Sequence, residues 1–292
     1  MIETATGNYL KPTTLADLLR HLDEDTGSVL AGGTDLVLMR ASGLVDRAQN
    51  IIDVKGIAQL QGVDASVNGT ISIGATTTLQ RLASASELPP NAVTDGAALV
   101  GGWQTRQRGT IGGNICRASP AGDTLPGMLV CQAQLELASR WGTRRVNADE
   151  FFLGPGLTLR ESAEVLTRIV IVSGTGGSAY VRFTNRRAMD LAVVGVAAWV
   201  ELEDDVCVDA RIGLSAAAPT PVLAPEAAAA LLGTRIDAAA IASAADLVLR
   251  TATPIDDGRG SREHRLATLP VLARRAINRA HERAITSRRH NT

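Results

Sequence analysis

The chain has 292 residues, of which 45% are hydrophobic, and its formal net charge is −1. This length allows two or three domains with real hydrophobic cores, and the near-neutral charge gives no reason to expect nucleic acid or an anionic membrane as the main partner. The most apolar run, 191–200, is shorter than the roughly 18 residues that a membrane span needs, and the first eight residues lack the layout of a signal peptide. We therefore expect a cytoplasmic protein without a membrane span.

The N-terminal region combines short helices with buried strands. Leucines at helical spacing over 15–22, behind two threonines that can cap a helix, predict the first helix. Gly27 ends this helix, and 28–31 has the apolar character of a short buried strand. The apolar stretch 36–39 is compatible with a second helix, and 51–54 predicts another strand.

The middle of the chain predicts a hairpin, followed by helices and strands. Asn68-Gly69 is a strong hairpin signal and lies between two segments of alternating polarity, 61–65 and 71–75. The helix expected over 123–131 tolerates Pro126, because the first turn of a helix does not need the N–H that proline lacks. The remaining elements expected here are helices over 77–85 and 123–131 and strands over 134–138 and 165–172.

The C-terminal half predicts a sheet followed by helices. The glycine-rich stretch 173–178 is the best candidate for a linker. Three alternating segments follow it, with Asp204-Asp205 as a turn, and the rest of the chain is rich in alanine and helical in pattern. The expected strands are 179–184, 192–203 and 206–215, and the expected helices are 225–232, 237–250 and 266–285. The whole pattern predicts an α+β protein with a ligand-binding part up to about residue 173 and a smaller domain after it.

Two patterns in this half invite interpretations that the residues do not support. The strand-like 169–172, followed by Gly174-Thr175-Gly176, is superficially similar to a dinucleotide-binding fingerprint, which requires a helix at its third glycine. Residues 180–183 continue as a strand instead, so a hairpin turn or linker is favoured. The nine arginines of 259–289 flank an apolar stripe without interleaved aromatic residues. This pattern indicates a solvated helix face or a protein contact, not a nucleic-acid site.

The chain lacks the residue patterns of catalysis or metal binding. Cys116, Cys131 and Cys207 are far apart and have no histidine nearby, so they predict neither a disulfide framework nor a zinc site nor an iron–sulfur cluster. The four histidines fall in helices or in the tail, where surface positions are expected. We predict no catalytic residue and no metal ligand, so that chemistry would have to come from a bound cofactor.

Two glycine-rich motifs carry most of the information about function. The first is Ala31-Gly32-Gly33-Thr34-Asp35-Leu36, and the second is Thr110-Ile111-Gly112-Gly113-Asn114, followed by Ser119-Pro120-Ala121-Gly122-Asp123. Backbone without side chains, next to hydroxyls and short polar residues, suits a loop that brings bare N–H groups against a phosphate. Two such loops predict a long ligand with a pyrophosphate that is held from both sides, and Asp123 can accept from a ribose or ribityl hydroxyl.

These motifs resemble the FAD-binding medium subunit of the molybdenum hydroxylases, a family that includes carbon monoxide dehydrogenase and the xanthine dehydrogenases. The resemblance starts at Tyr9-Leu10-Lys11-Pro12 and covers nearly the whole chain. Further matching segments are 119–126, 151–156, 164–167 and 186–192.

The resemblance implies a fold and a set of residues near the cofactor. The fold is a vanillyl-alcohol-oxidase-like (PCMH-type) FAD-binding domain over 1–173, with subdomains of about 1–56 and 57–173, followed by a C-terminal domain over 178–285 with a three-stranded antiparallel sheet and helices. Arg182 falls where relatives often have lysine, so the positive charge is kept while the geometry of its hydrogen-bond donors differs. The implied FAD-binding residues are Leu30, Ala31, Gly32, Gly33, Thr34, Asp35, Leu36, Val100, Thr105, Thr110, Ile111, Gly112, Gly113, Asn114, Asp123, Leu166, Arg182 and Leu191.

The resemblance also implies a function as an electron relay. In the family, a large subunit oxidises substrate at a molybdenum cofactor, and a small subunit passes electrons through two [2Fe-2S] clusters to FAD. FAD then reduces NAD, dioxygen, a quinone or another acceptor. Since this chain has no cysteine pattern for clusters, both partners are expected to be separate polypeptides. In the family, the heterotrimer often doubles into a dimer of heterotrimers.

Two alternatives remain open at the level of sequence. One is a stand-alone flavoenzyme of the same fold, for which we find no catalytic residue to place over the flavin ring. The other is a non-catalytic assembly subunit, against which the intact glycines and Asp123 argue.

Overall fold

The N-terminal part of the computed structural model is a parallel sheet with two helices; the structure describes residues 7–24, 27–65, 70–172 and 176–291. The strand Ile51–Asp53 lies in the middle of this sheet, and the strands on its two sides run parallel to it. The Thr14 hydroxyl accepts from the Asp17 N–H at 3.1 Å, so a threonine caps the first helix as predicted. The elements are β1 (Tyr9–Leu10), α1 (Leu15–Glu24), β2 (Ser28–Leu30), α2 (Leu36–Ala41) and β3 (Ile51–Asp53).

The middle of the chain forms a five-stranded antiparallel sheet with helices on it. Its order is β4-β5-β10-β6-β7, so that the last strand in sequence lies at the centre. The two strands of the predicted hairpin pair as expected, although its Asn-Gly turn lies outside the described residues. The strands are β4 (Val63–Ala65), β5 (Thr70–Gly74), β6 (Gln134–Ser139), β7 (Gly142–Asn147) and, after a small two-stranded sheet of β8 (Phe152–Gly154) and β9 (Leu157–Thr158), β10 (Val165–Val172).

Six helices accompany this sheet within the described ranges, and only two of them were predicted. A buried core of leucine, isoleucine and alanine side chains joins the helices to the sheet. Asn91 caps α4 by accepting from the N–H groups of Val93 and Thr94. The helices are α3 (Leu79–Ala83), α4 (Ala92–Leu99), α5 (Trp103–Arg108), α6 (Ile111–Arg117), α7 (Leu125–Val130) and α8 (Ala148–Phe151).

The C-terminal part is an antiparallel sheet covered by helices. The three predicted strands are present, Asp204 and Asp205 turn with left-handed φ angles of 46° and 65°, and a two-residue strand adds a fourth at the edge. The elements are β11 (Gly177–Phe183), β12 (Val194–Glu203), β13 (Val206–Ser215), β14 (Val222–Leu223), α9 (Pro225–Ala229), α10 (Ala238–Leu247), a 3-10 turn (Val248–Arg250) and α11 (Arg262–Asn291).

The predicted linker over 173–178 is partly wrong. Gly177 and Ser178 already belong to β11, and residues 173–175 lie outside the described ranges. The residues after Gly176 form strand β11 and not the helix that a dinucleotide-binding fingerprint requires. A Cβ on Gly177 would lie 2.2 Å from the backbone nitrogen of Ala284, because α11 packs directly onto β11. The division into 1–173 and 178–285 stays a prediction.

The long C-terminal helix places its apolar stripe in the core, as the sequence predicted. Leu272, Ala273, Ala276, Ile277 and Ala280 are buried against the sheet. Among the described residues, no helix is both long and apolar enough to cross a membrane.

Candidate cofactor-binding cleft

A cleft of about 620 Å³ lies between the N-terminal sheet and the helices of the central part. Both glycine-rich motifs contribute to its walls. Residues of 27–39, 75–79, 100–117 and 156–166 account for most of the lining. The cleft is large enough for an extended organic ligand.

The first glycine-rich motif forms a loop between β2 and α2 and lines the cleft. Gly33 has φ +79°, a left-handed conformation that a residue with a side chain adopts only under strain. Within the described ranges, the N–H groups of Gly32, Gly33, Thr34 and Asp35 donate no hydrogen bond. Four unpaired donors in consecutive residues of one loop are the arrangement that binds an anion through the backbone.

The second glycine-rich motif differs from the expectation, because it is the start of helix α6 and not a loop. The Thr110 hydroxyl accepts from the Gly113 N–H at 3.1 Å, and the Thr110 carbonyl accepts from Asn114. The Gly112 N–H donates to the Ala75 carbonyl at 2.8 Å. The prediction that this motif presents bare N–H groups is therefore wrong: the threonine cap and the Ala75 carbonyl, just after β5, already satisfy them.

Gly112 lines the cleft, and its missing side chain also permits close packing. A Cβ at this position would lie 2.6 Å from the Ala75 carbonyl oxygen, so that only glycine lets α6 approach the end of β5. At Gly113, which is exposed and borders the cleft, a Cβ would meet only the Thr110 hydroxyl, at 3.0 Å.

The first motif packs backbone to backbone against Arg108 and Gly109, the two residues that precede the second motif. A Cβ on Gly32 would lie 2.1 Å from the carbonyl oxygen of Arg108. Across the same contact, a Cβ on Gly109 would lie 3.6 Å from the Thr34 hydroxyl. The absence of a side chain at Gly32 thus allows the two walls of the cleft to meet at one edge.

Most of the predicted cofactor-binding residues come together in the cleft. They arrive from separate elements, including the loop after β2, helices α5 and α6 and the start of β10. The predicted residues that line the cleft are Ala31, Gly32, Gly33, Thr34, Asp35, Leu36, Val100, Thr105, Thr110, Gly112, Gly113, Asn114 and Leu166.

Three predicted residues lie elsewhere for simple reasons. Ile111 is fully buried in the core below α6, because it is on the side of the helix away from the cleft. Leu30 ends β2, where its carbonyl accepts from the Val54 N–H, and it is not part of the lining. Leu191 is an exposed residue between β11 and β12 and is also outside the lining.

Asp123 and Arg182 are likewise outside the cleft and form a buried ion pair with each other. The Asp123 carboxyl group also accepts from the Tyr180 hydroxyl at 2.9 Å, and Arg182 also donates to the Leu99 carbonyl at 2.9 Å. Ser215 lies 3.1 Å from the Tyr180 hydroxyl oxygen. Both carboxylate oxygens have protein donors, and Asp123 is buried outside the cleft lining, so the predicted bond from Asp123 to a ligand hydroxyl does not fit this arrangement.

Burial raises the pKa of Asp123 to about 6, while the Arg182 charge and the Tyr180 hydrogen bond oppose the shift. The neighbouring Thr124 hydroxyl donates to the Asn114 side chain at 2.6 Å, and Asn114 lines the cleft. The segment that carries Asp123 thus acts on the cleft indirectly, by orienting a residue of its wall.

Several cleft residues were not among those predicted from the sequence. Cys116, Arg117, Arg160 and Glu164 were given no binding role, yet all four line the cleft. In a chain whose only lysines are Lys11 and Lys55 among 29 basic residues, individual arginines carry little signal.

Two family profiles match the chain. The family described as "FAD binding domain in molybdopterin dehydrogenase" matches residues 3–171, and the family described as "CO dehydrogenase flavoprotein C-terminal domain" matches residues 179–280.

Individual relatives are similar over nearly their whole length. The xanthine dehydrogenase FAD-binding subunit of Escherichia coli O157:H7 is 31% identical, and the match covers 94% of this chain and 95% of that protein. The carbon monoxide dehydrogenase medium chain of Afipia carboxidovorans is 35% identical, and the match covers 95% of this chain and 97% of that protein. A solved carbon monoxide dehydrogenase from Hydrogenophaga pseudoflava superposes with a TM-score of 0.90 at 30% identity, and the match covers 97% of this chain and 99% of that one. This chain therefore belongs to the family of FAD-binding medium subunits of the molybdenum hydroxylases, which are subunits of oxidoreductase complexes.

Proposed function

We propose that this chain binds FAD in the cleft and relays electrons from the [2Fe-2S] clusters of a partner subunit to an external acceptor. The observation that carries the proposal is the loop 32–35, whose N–H groups have no partner within the described ranges and line the cleft. We assign the FAD pyrophosphate to this loop, because backbone donors at a left-handed glycine form an anion-binding concavity.

The rest of the lining fits the other parts of FAD. Apolar side chains such as Leu79, Val100 and Leu166 suit the faces of aromatic rings, and the polar groups of Thr105 and Asn114 suit hydroxyls. When bound, FAD accepts electrons singly and releases them as a pair. The residues of this chain hold the cofactor and exclude water from it, and we assign them no proton transfer.

We further propose that the other redox centres belong to separate polypeptides. Cys131 and Cys207 are buried at separate places in the fold, and Cys116 lines the cleft, so these thiols do not form the four-cysteine set of a cluster. The partners are then a large molybdenum-cofactor subunit and a small [2Fe-2S] subunit. NAD, dioxygen or a quinone would be the final acceptor.

The experiment that tests FAD binding compares two glycines with the same backbone conformation. Gly33 and Gly43 have φ of +79° and +77°, but only Gly33 lines the cleft. We expect the wild-type chain and Gly43→Val to be yellow with equal FAD content, and Gly33→Val to lose FAD. A colourless wild-type chain that takes up no FAD would contradict the proposal, as would equal FAD content in both variants.

A second measurement tests the relay. Reduced [2Fe-2S] partner subunit should reduce the bound FAD, which is followed by the loss of its visible absorption. FAD that is reduced by a small organic substrate in the isolated chain, and not by the partner, would instead indicate a stand-alone flavoenzyme.

A further inference from the structure

The charged residues of the cleft are two acids and two arginines: Asp35, Glu164, Arg117 and Arg160. Arg144, which is not part of the cleft lining, already neutralises the charge of Glu164. It donates to the two carboxylate oxygens at 2.6 and 2.8 Å. This fork lowers the pKa of Glu164 and keeps it ionised and paired. Glu164 therefore does not act as a free negative charge towards a ligand.

Arg160 is held in place by one of its nitrogens and keeps the others available. Its Nη1 donates to the carbonyls of Glu161 and Glu164, both at 2.8 Å. Its Nε and Nη2 have no hydrogen-bond partner in the described part of the chain. A guanidinium that is fixed on one edge loses little conformational entropy when its other edge binds an anion.

Arg117 lies beside the loop that carries the unpaired N–H groups. Its Nε is 3.4 Å from the carboxylate of Asp35, the last residue of that loop. Its side chain makes no hydrogen bond within the described ranges, and its charge offsets that of Asp35, which would otherwise repel an anion at the loop.

The two arginines belong to the same side of the cleft. A Cβ on Gly156 would lie 3.5 Å from Arg117 Nη1, so the segment that leads to Arg160 passes next to Arg117. The charge of Arg160 also acts on the thiol of Cys116, the residue before Arg117: burial raises the pKa of Cys116, and Arg160 partly opposes the increase.

We propose that Arg117 and Arg160 bind the pyrophosphate of FAD together with the loop 32–35. Backbone N–H groups supply dipoles but no net charge, whereas a pyrophosphate carries two negative charges. With Asp35 offset by Arg117 and Glu164 offset by Arg144, Arg160 leaves the cleft with one net positive charge. The guanidinium edges match phosphate oxygens in geometry as well as in charge. This inference rests on the proposed FAD binding.

The test measures the affinities of FAD, ADP and riboflavin by calorimetry for the wild-type chain, Arg117→Gln and Arg160→Gln. Each variant should bind FAD and ADP about tenfold more weakly, as expected for a lost charge-assisted hydrogen bond, and should bind riboflavin unchanged. Added KCl should weaken FAD binding less in the variants than in the wild type.

The matched control is Arg145→Gln, since Arg145 is an exposed arginine of β7 that pairs with Glu136 outside the cleft. It should leave all three affinities unchanged. Arg160→Lys keeps the charge and should recover part of the ADP affinity, which a purely structural role would not explain.

Two results would overturn the inference while leaving FAD binding intact. One is wild-type ADP affinity in the Arg117→Gln, Arg160→Gln double variant. The other is an equal loss of riboflavin and ADP affinity, which would mean that the arginines support the cleft as a whole. If the wild-type chain bound none of the three compounds, the proposed function itself would fail.

Discussion

Arg283 of α11 donates from its two terminal nitrogens to the carboxylate of Asp95 in α4, at 2.7 and 2.9 Å. The same carboxylate accepts from the Tyr180 N–H at 3.0 Å. The pair therefore connects the last helix, the first strand of the C-terminal sheet and a helix of the central part. Both side chains are largely buried, with 17% and 11% exposed, so solvent screens their interaction only partly.

Replacing this arginine should destabilise the protein. In Arg283→Gln the carboxylate of Asp95 stays largely buried with its main partner gone, and we expect the free energy of unfolding to fall by about 2 kcal/mol. Urea denaturation measures the change. The control is Arg275→Gln on the exposed side of the same helix, where a change within about 0.5 kcal/mol is expected. Equal stability of the two variants would mean that the pair contributes nothing.

The strand and helix patterns could be predicted where the hydrophobic period was strong. The strands 194–203 and 206–215 and the helix at 15–24 follow such periods. Helices α4, α5, α6 and α8 were missed. The reason is clearest for α4, a mixture of alanine, glycine and threonine whose start depends on the cap at Asn91.

The structure of the cleft depends on contacts between residues that are distant in sequence, which local sequence patterns do not specify. The glycines of both motifs line the cleft, but glycine has a different role at each position: Gly33 has a left-handed φ and an N–H without a partner in the described ranges, whereas Gly112 lets α6 pack against the end of β5. Which N–H groups remain unpaired depends on distant partners such as Ala75. The same holds for Asp123, whose partners Tyr180 and Arg182 lie almost 60 residues away in sequence.

Gly32 and Gly113 should respond differently to alanine. In Gly32→Ala the new Cβ would lie 2.1 Å from a backbone carbonyl, so that the two walls of the cleft must separate. We expect the free energy of unfolding to fall by at least about 2 kcal/mol and the affinity for FAD to decrease. Gly113→Ala meets only a threonine hydroxyl and should keep wild-type stability to within about 0.5 kcal/mol. Thermal unfolding, followed with and without FAD, checks both variants, and a larger loss at Gly113 would contradict this view of the packing.

The pairing of Glu164 with Arg144 should make stability depend on pH. The Arg144 fork lowers the pKa of Glu164 from its ordinary 4.5, so the folded state binds the proton more weakly than the unfolded state. The stabilisation is therefore fully present above about pH 4.5 and is lost as the pH falls through the lowered pKa. Since Arg144 is 41% exposed, screening limits the contribution to about 1 kcal/mol.

This pH dependence is measured by urea unfolding of the wild type and Glu164→Gln from neutral to acidic pH. The two proteins should differ most at neutral pH and converge in acid. Glu203→Gln, which replaces an exposed glutamate at the end of β12, should follow the wild type throughout. A difference that grows on acidification would have the opposite sign and would rule out this pairing as the cause.

The thiol of Cys116 should report on the occupancy of the cleft. It lines the cleft, and burial raises its pKa, so the reactive thiolate is scarce at neutral pH. We expect slow alkylation of Cys116 by iodoacetamide in the folded chain and still slower alkylation once FAD is added, both followed by mass spectrometry of the modified peptide. Cys131 is buried in the core, and its pKa is raised to about 11, so its slow rate should not respond to FAD. Protection by FAD that is equal at both thiols would indicate general tightening of the fold, and no protection at Cys116 would place the cofactor away from α6.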